Sequence, residues 1–219
     1  MVFDAKLKAM LLHKITILKL KRKLNTLFSN PIGVYNKYVR MLRGEILPIY
    51  GEDYDIHWSF TSFKDKIILD LGADYGSTAY YFLRKGATRV IAVEGDQQLV
   101  KKLSRNFRKD YRVTCIHGFI DKAEQISSLI LCYHPDLVKV DIEGYEKVIL
   151  NVPKEVLKQA NEWLIEVHSD ELYHALSSFF SKQGFQIRSF EYGSDLKIMH
   201  CTLNRKKACE KTNLNNRGL

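Results

Sequence analysis

The sequence has little of what would make it fibrous, secreted or membrane-spanning. Only 4 of its 219 residues are proline and 12 are glycine, too few for a collagenous chain. With 46% hydrophobic and 11% aromatic residues it can build a sizeable core rather than stay disordered. Its 4 cysteines, Cys115, Cys132, Cys201 and Cys209, form no C-x-x-C pair and lack the even spacing of a disulfide framework, so reduced thiols are expected. No apolar run approaches the roughly 18 residues that a transmembrane helix needs. The best candidate, Leu11 to Leu20, is broken by His13, Lys14 and Lys19, and no small-residue cleavage site follows it, which argues against a signal peptide. A cytoplasmic protein is expected, with one large domain and appendages.

Positive charge is plentiful but confined. The net charge is +9, yet residues 1–45 hold 10 Lys and Arg against Asp4 and Glu45, and residues 204–219 hold 5 against Glu210. The block between them carries 19 cations against 22 acids. The basic character therefore belongs to the two ends, and the central block need not bind nucleic acid. Residues 2–29 contain neither Gly nor Pro and read as a helix that stops at Asn30-Pro31. Its apolar stripe of Phe3, Leu7, Met10, Leu11 and Leu18 is crowded by Lys14 and Lys21. Three roles fit such a segment: lying on an anionic membrane surface, packing over the main domain with its lysines solvated, or contacting RNA. A second short helix over Val34 to Arg43 and an aromatic-rich loop over Pro48 to Trp58 follow. Three segments are thus expected: a basic helical extension with its loop over 1–60, a main domain over 61–203, and a basic, disordered tail over 204–219.

From Lys66 onward, apolar runs of strand length alternate with helical stretches. Strands are expected over Ile67 to Leu71, Arg89 to Val93, Arg112 to Ile116, Leu137 to Val140 and Glu162 to Val167. Helices are expected over Ser77 to Lys85, Gln97 to Arg108, Ala123 to Leu131, Tyr145 to Gln159 and Asp170 to Lys182. This alternation predicts a doubly wound α/β fold with a mostly parallel sheet covered on both faces. Phe185 to Tyr192 and Leu196 to Leu203, separated only by Gly193-Ser194-Asp195, read instead as an antiparallel hairpin.

In such a sheet, ligands lie beyond the carboxyl ends of the strands at the switch point. The first strand runs into Asp70-Leu71-Gly72-Ala73-Asp74-Tyr75-Gly76-Ser77, whose glycines permit a sharp turn while Ser77 or Thr78 could cap the next helix. The loop offers only G-x-x-x-G where a dinucleotide fingerprint needs G-x-G-x-x-G, which disfavours NAD, and a plain structural turn is the alternative. Glu94 ends the second strand 22 positions after Gly72, where a carboxylate can accept from both hydroxyls of a ribose. The fourth strand exits through Lys139, Asp141 and Glu143, which share one side if the strand persists. Glu166 and His168 stand at the equivalent place on the next strand. A convergence of these groups implies a reactive site, a structural ion-pair network, or a divalent cation, although no H-x-x-x-H or regular carboxylate spacing fixes a metal set.

The stretches ILDLGADYGSTAYYFLRKGATRVIAVEGD (68–96), LVKVDIEGYEKVIL (137–150) and WLIEVHSDELYHALSSFFSKQGF (163–185) together resemble the FkbM-type S-adenosylmethionine-dependent methyltransferases, which are class I, Rossmann-like enzymes. The K-x-D-x-E-G-x-E run at the fourth strand is the most specific of them, and the likeness spans about residues 66–203. The resemblance implies seven strands in the order 3-2-1-4-5-7-6 with the seventh antiparallel. It also implies that Asp70, Gly72, Ala73 and Gly76 form the methionine-side loop, that Glu94 holds the ribose, and that His117 to Asp121, with Gly118 and Phe119, lie near adenine. Asp141 and Glu143 would face the methyl group, Asp141 serving both cofactor and catalysis. The chain departs from the family at Asp74-Tyr75-Gly76 and at Gly95, where proline usually follows the acid.

Methyl transfer requires an in-line arrangement and a base for the acceptor's proton. Asp141 or His168 is the expected base, Glu143 the residue that orients the acceptor, and Lys139 the group that tunes them; alternatively the acids stabilise the sulfonium. No metal is expected. The leading expectation is O-methylation of a hydroxyl on a sugar, glycolipid or small metabolite, with anionic membrane contact through residues 1–29. An RNA or base methyltransferase ranks second, because the fourth strand lacks the Asn/Asp-Pro-Pro-aromatic element of many amino-methylating enzymes. A non-catalytic cofactor-binding partner protein ranks third.

Overall fold

A computed structural model describes Tyr54, Trp58 and residues 60–192 and 196–203. All of these fall in the second of two compact units, Ile49–Leu219. The expected helices over 2–29 and 34–43, the membrane-contacting segment and the tail over 204–219 lie outside the described residues.

Seven strands form one sheet: β1 (Ile67–Leu71), β2 (Arg89–Glu94), β3 (Val113–His117), β4 (Leu137–Val140), β5 (Glu162–Val167), β6 (Phe185–Tyr192) and β7 (Leu196–Leu203). Their order is β3-β2-β1-β4-β5-β7-β6. β7 runs antiparallel to both β5 and β6, and the other pairings are parallel. Five helices are described: α1 (Ser77–Arg84), α2 (Gln97–Phe107), α3 (Ala123–Tyr133), the one-turn α4 (Lys154–Leu157) and α5 (Asp170–Lys182). The helix expected over Tyr145 to Gln159 is instead a 3-10 turn over Glu146–Asn151 followed by α4. The reason is Pro153, whose missing N–H and ring cannot continue the first segment but suit the entry to the second.

The period of two along the strands divides the core. Leu69, Leu71, Ile91, Val93, Val138, Val140, Trp163 and Ile165 pack with Ile126 and Ile130 of α3 and Leu176 and Phe180 of α5. The opposite side of β1 and β4 carries Ile68 and Asp70 beside Leu137 and Lys139, and on it Thr78 of α1 reaches Asp70. Trp58, though it belongs to the expected extension, is wholly buried, with its ring 5.4 Å from that of Phe82. Phe60 stacks on Phe190 at 3.9 Å. Aromatic residues before position 61 therefore complete this unit, because α1 leaves Phe82 and Tyr81 to be covered. Among the described residues, no helix is long and apolar enough to cross a membrane, and Cys115, Cys132 and Cys201 are free thiols.

Candidate active site

The turn from β1 into α1 is drawn tightly against two neighbours. The N–H groups of Gly72 and Ala73 both donate to the Val93 carbonyl at 3.0 Å, which fastens the loop to the end of β2. Gly72 has φ +78°, and a Cβ there would run into the Asp141 carbonyl. Gly76, at φ +100°, is pressed against Phe107 and Leu103 of α2. The two glycines thus serve different neighbours: Gly72 lets β4 approach the loop, and Gly76 lets α2 pack under α1. Gly76 is also the residue at the α1 N-cap, and no side chain caps that helix. The expected cap by Ser77 or Thr78 is replaced because the Thr78 hydroxyl donates to Asp70.

Beneath the loop lies a buried ion cluster. Asp70 and Lys139 are cross-strand neighbours in register and both are almost completely shielded from solvent. Lys139 Nζ donates to the Gly72 carbonyl at 2.8 Å and stands 3.4 Å from both Asp70 Oδ1 and Asp141 Oδ2. Burial favours loss of the ammonium proton, but Asp70, Asp141 and Glu166 outweigh it and hold the Lys139 pKa above the ordinary lysine range. One cation therefore ties the first loop to the first residue after β4.

Glu94 is the corresponding device on β2. Its Oε2 accepts from the Asp74 N–H and its Oε1 from the Asp96 N–H, each at 2.8 Å. Both oxygens are oriented, and each keeps lone-pair capacity toward the cleft that Glu94 lines. The cleft is further lined by Gly72, Val93, Gly95, Asp96, Gly118, Phe119, Ile120, Asp141, Ile142 and Glu143. Its walls are mostly apolar, and its charged lining groups are all acids. Such a cleft suits a ligand with a flat apolar portion, a diol and a positive charge. Phe119 closes one side: its Cδ2 would lie 2.8 Å from a Cβ at residue 95, so Gly95 gives the ring room to settle there.

The exit from β4 is unusual backbone held by a buried acid. β4 ends at Val140, so Lys139 and Asp141 share a side but Glu143 does not continue the alternation. Glu143, at φ +51°, and Gly144, at φ +93°, turn the chain left-handed. Glu146 is wholly buried, and its Oε1 accepts from the Ile142 and Gly144 N–H groups at 3.1 and 3.2 Å. That carboxylate is the anchor of the turn that presents Asp141 and Glu143, and the surrounding contacts sustain backbone geometry that a non-glycine residue seldom adopts. Its partner oxygen, Oε2, is buried without a hydrogen bond.

The structure gathers most of the expected residues and separates a few. Gly72, Glu94, Gly118, Phe119, Asp141 and Glu143 line the cleft. Asp70, Ala73 and Lys139 lie beneath it, buried, and Gly76 faces α2. His168 is exposed after β5 and is not among the cleft-lining residues. Glu166 remains near Lys139. Sequence reasoning missed Glu146 and Thr78, although both lie within the stretches quoted above. An acid three residues after another acid on a loop gives no sign of which one turns inward. Among the described residues, no group of three or more His, Cys, Asp or Glu is gathered to hold a metal ion.

No protein-family profile matches the sequence. Uncharacterized protein 65 of a Sulfolobus islandicus filamentous virus is 31% identical over 121 residues, covering 54% of this chain and 70% of that protein. The chain belongs to the same family as that viral protein. Uncharacterized protein 158B of Sulfolobus islandicus rod-shaped virus 1 is 29% identical over 121 residues, 54% of this chain and 71% of its own. A histone-arginine methyltransferase of Drosophila willistoni is 26% identical over 158 residues, 63% of this chain but only 27% of that enzyme. Among solved structures, a candidate tRNA methyltransferase of Streptococcus pneumoniae superposes with a TM-score of 0.55 at 15% identity, covering 71% of each chain. Fibrillarin of Aeropyrum pernix, with natively bound S-adenosyl-L-methionine, gives 0.50 at 15% identity over 64% of this chain and 67% of its own. The fold is that of the class I S-adenosylmethionine-dependent methyltransferases.

Proposed function

We propose that the chain is an S-adenosylmethionine-dependent methyltransferase that methylates a hydroxyl presented beside Asp141 and Glu143. The observation that carries the reading is the oriented Glu94 carboxylate in a mostly apolar cleft whose charged lining groups are all acids. Glu94 would accept from the ribose hydroxyls, Phe119, Ile120 and Ile142 would enclose the adenine, and Gly72 would leave space for the methionine portion. When bound, the cofactor supplies a methyl group activated by a sulfonium. The acids of the cleft favour that positive charge, and Asp141 is placed to take the acceptor's proton while Glu143 orients its hydroxyl. Lys139 acts through Asp141 and the Gly72 carbonyl, as a positioning residue. His168, exposed away from the cleft, has no part in this mechanism.

The FkbM resemblance favours a sugar, glycolipid or small-metabolite hydroxyl. The solved structures of the same fold described above include proteins named for tRNA methylation and fibrillarin, and an RNA-borne hydroxyl gains further support from the charge distribution described below. Calorimetric titration with S-adenosylmethionine tests the cofactor: Glu94→Ala should weaken binding by about 2 kcal/mol, roughly 30-fold. Equal affinity of the two proteins would sink the assignment. For the chemistry, Asp141→Asn should lower kcat by about 10²-fold while His168→Ala leaves it unchanged; the reverse pattern would transfer the base to His168.

A further inference from the structure

Helix α2 has no acid from Gln97 to Phe107, and the chain continues through Arg108 and Lys109 before reaching Asp110. Leu103 and Phe107 are its buried face. At about 100° per residue, Lys101, Lys102, Arg105, Arg108 and Lys109 fall within an arc of about 120° on the other side, and all five are exposed. None has an ion-pair partner among the described residues, whereas Lys66, Arg112, Lys139 and Lys197 are each paired. Like charges at Lys101, Arg105 and Lys109 lie one helical turn apart and repel, and nothing in the described fold offsets that repulsion.

The stripe adjoins the cleft. Asp96, the cap of α2, is a cleft residue, and Lys102 acts electrostatically on Asp74 of the β1 turn. At the mouth stand two exposed rings, Phe119 at 55% and Tyr145 at 40%, edge to face at 5.0 Å. The charges are thus segregated: acids in the cleft, where a cationic cofactor would sit, and unpaired cations along the adjoining helix. The apolar side chains of α2 are committed to the core or turned from the stripe, which leaves nothing between its cations to enter a lipid surface. Exposed rings beside a cationic track suit stacked bases and a phosphate backbone. A polyanion that also offers a hydroxyl at every nucleotide is RNA.

We propose that the exposed face of α2 is a docking surface for single-stranded RNA, with phosphates along Lys101, Arg105 and Arg108 and a nucleotide delivered past Tyr145 to the cleft. The choice of acceptor rests on the methyltransferase reading; the binding surface does not. The test compares the full chain with its Lys101→Gln/Arg105→Gln/Arg108→Gln variant, using fluorescence anisotropy of a labelled RNA of about 20 nucleotides at several salt concentrations. The variant should bind tenfold or more weakly at low salt, and its slope of log affinity against log salt should fall by about 2, at roughly 0.7 per lost single-strand contact. Any contribution from the basic ends is common to both proteins and cancels in that difference. Unchanged affinity and slope would overturn the proposal, as would displacement of RNA from the intact chain, but not from the variant, by phosphatidylserine-containing vesicles. Stronger retention of a DNA strand of the same sequence would overturn the assignment to RNA. Titration of both proteins with S-adenosylmethionine should give equal affinities; if neither binds the cofactor while the RNA difference persists, the methyltransferase reading fails and the docking surface stands.

Discussion

The sheet carries an ion cluster at each end, and the two are built differently. At the carboxyl ends of the parallel strands, Lys139 and Asp70, both almost out of reach of water, are joined to the Gly72 carbonyl and to the partly exposed Asp141. At the amino ends, Glu162 accepts from Thr61 at 2.9 Å and Lys66 at 2.7 Å, with His200 Nε2 at 3.4 Å, and this cluster is half-open to solvent. Asp136 accepts from the Ile67 N–H beside it. Both clusters tie β1 to the strands around it. The first stands beside the left-handed turn at Glu143 and Gly144, the buried Glu146 Oε2 without a hydrogen bond, and the cleft; the second stands beside left-handed Asp65 and holds a buried, unpartnered His200 Nδ1. Burying a charge is costly unless each partner is in place, so the Lys139 cluster depends on every one of its partners.

Matched substitutions at the two ends should show the contrast most strongly. Lys139→Met leaves Asp70 buried without its cation and should cost about 3–5 kcal/mol in urea unfolding. Lys66→Met removes a partner that water can replace, and should cost about 1 kcal/mol. Equal losses would mean that depth does not separate the clusters. Cofactor titration should follow the same division, with Lys66→Met binding normally.

The pH dependence of stability should separate the ends next. Burial acts to raise the Glu162 pKa, but hydrogen bonds from His200, Lys66 and Thr61 overcome it and bring it to about 2, against an ordinary 4.5. With the folded value below the unfolded one, this stabilisation is complete above pH 4.5 and is lost as pH falls towards 2. It should amount to something on the order of 3 kcal/mol, read as a shallower acid limb of unfolding stability in Glu162→Gln than in the parent. Lys139 has the opposite sign: its pKa is raised on folding, so its contribution holds below pH 10.5 and fades as pH rises above that. An acid limb that survives Glu162→Gln intact would assign acid sensitivity elsewhere.

The smallest effect sharpens the comparison at the level of one hydroxyl. Thr78→Val removes the donor to the fully buried Asp70 and should cost about 1–2 kcal/mol, whereas Thr61→Val, at the half-open Glu162, should cost about 0.5 kcal/mol. Thermal or urea unfolding of the two variants measures the difference. A larger loss at Thr61 would reverse the ranking of the ends.

The strands and most helices were legible because their signals are local. A short apolar run such as Val90–Val93, between helical stretches, reads as an inner strand buried on both faces, and the short spacer Gly193-Ser194-Asp195 between two strand-like runs reads as a hairpin. The positions of Gly72, Glu94 and Asp141 at strand ends followed from the same rhythm, since a parallel sheet puts those ends together. The helix expected over 145–159 failed where one residue, Pro153, decides against the surrounding propensity. The sequence by itself thus determined the alternation, the strand ends and the acids at them.

Tertiary structure alone decided which of those acids line the cleft. Asp70 and Glu94 both end or nearly end a strand, but Asp70, one residue inside the end of β1, stands beside Lys139 and accepts from Thr78, while Glu94, the last residue of β2, accepts from the Asp74 and Asp96 amides. Glu143 and Glu146 lie three residues apart, yet the turn exposes the first and buries the second. His168 follows the same strand end as Glu166 and is exposed, outside the cleft lining. Direction around a backbone that has left regular structure has no period, so pairing with distant partners sets it, and sequence spacing does not.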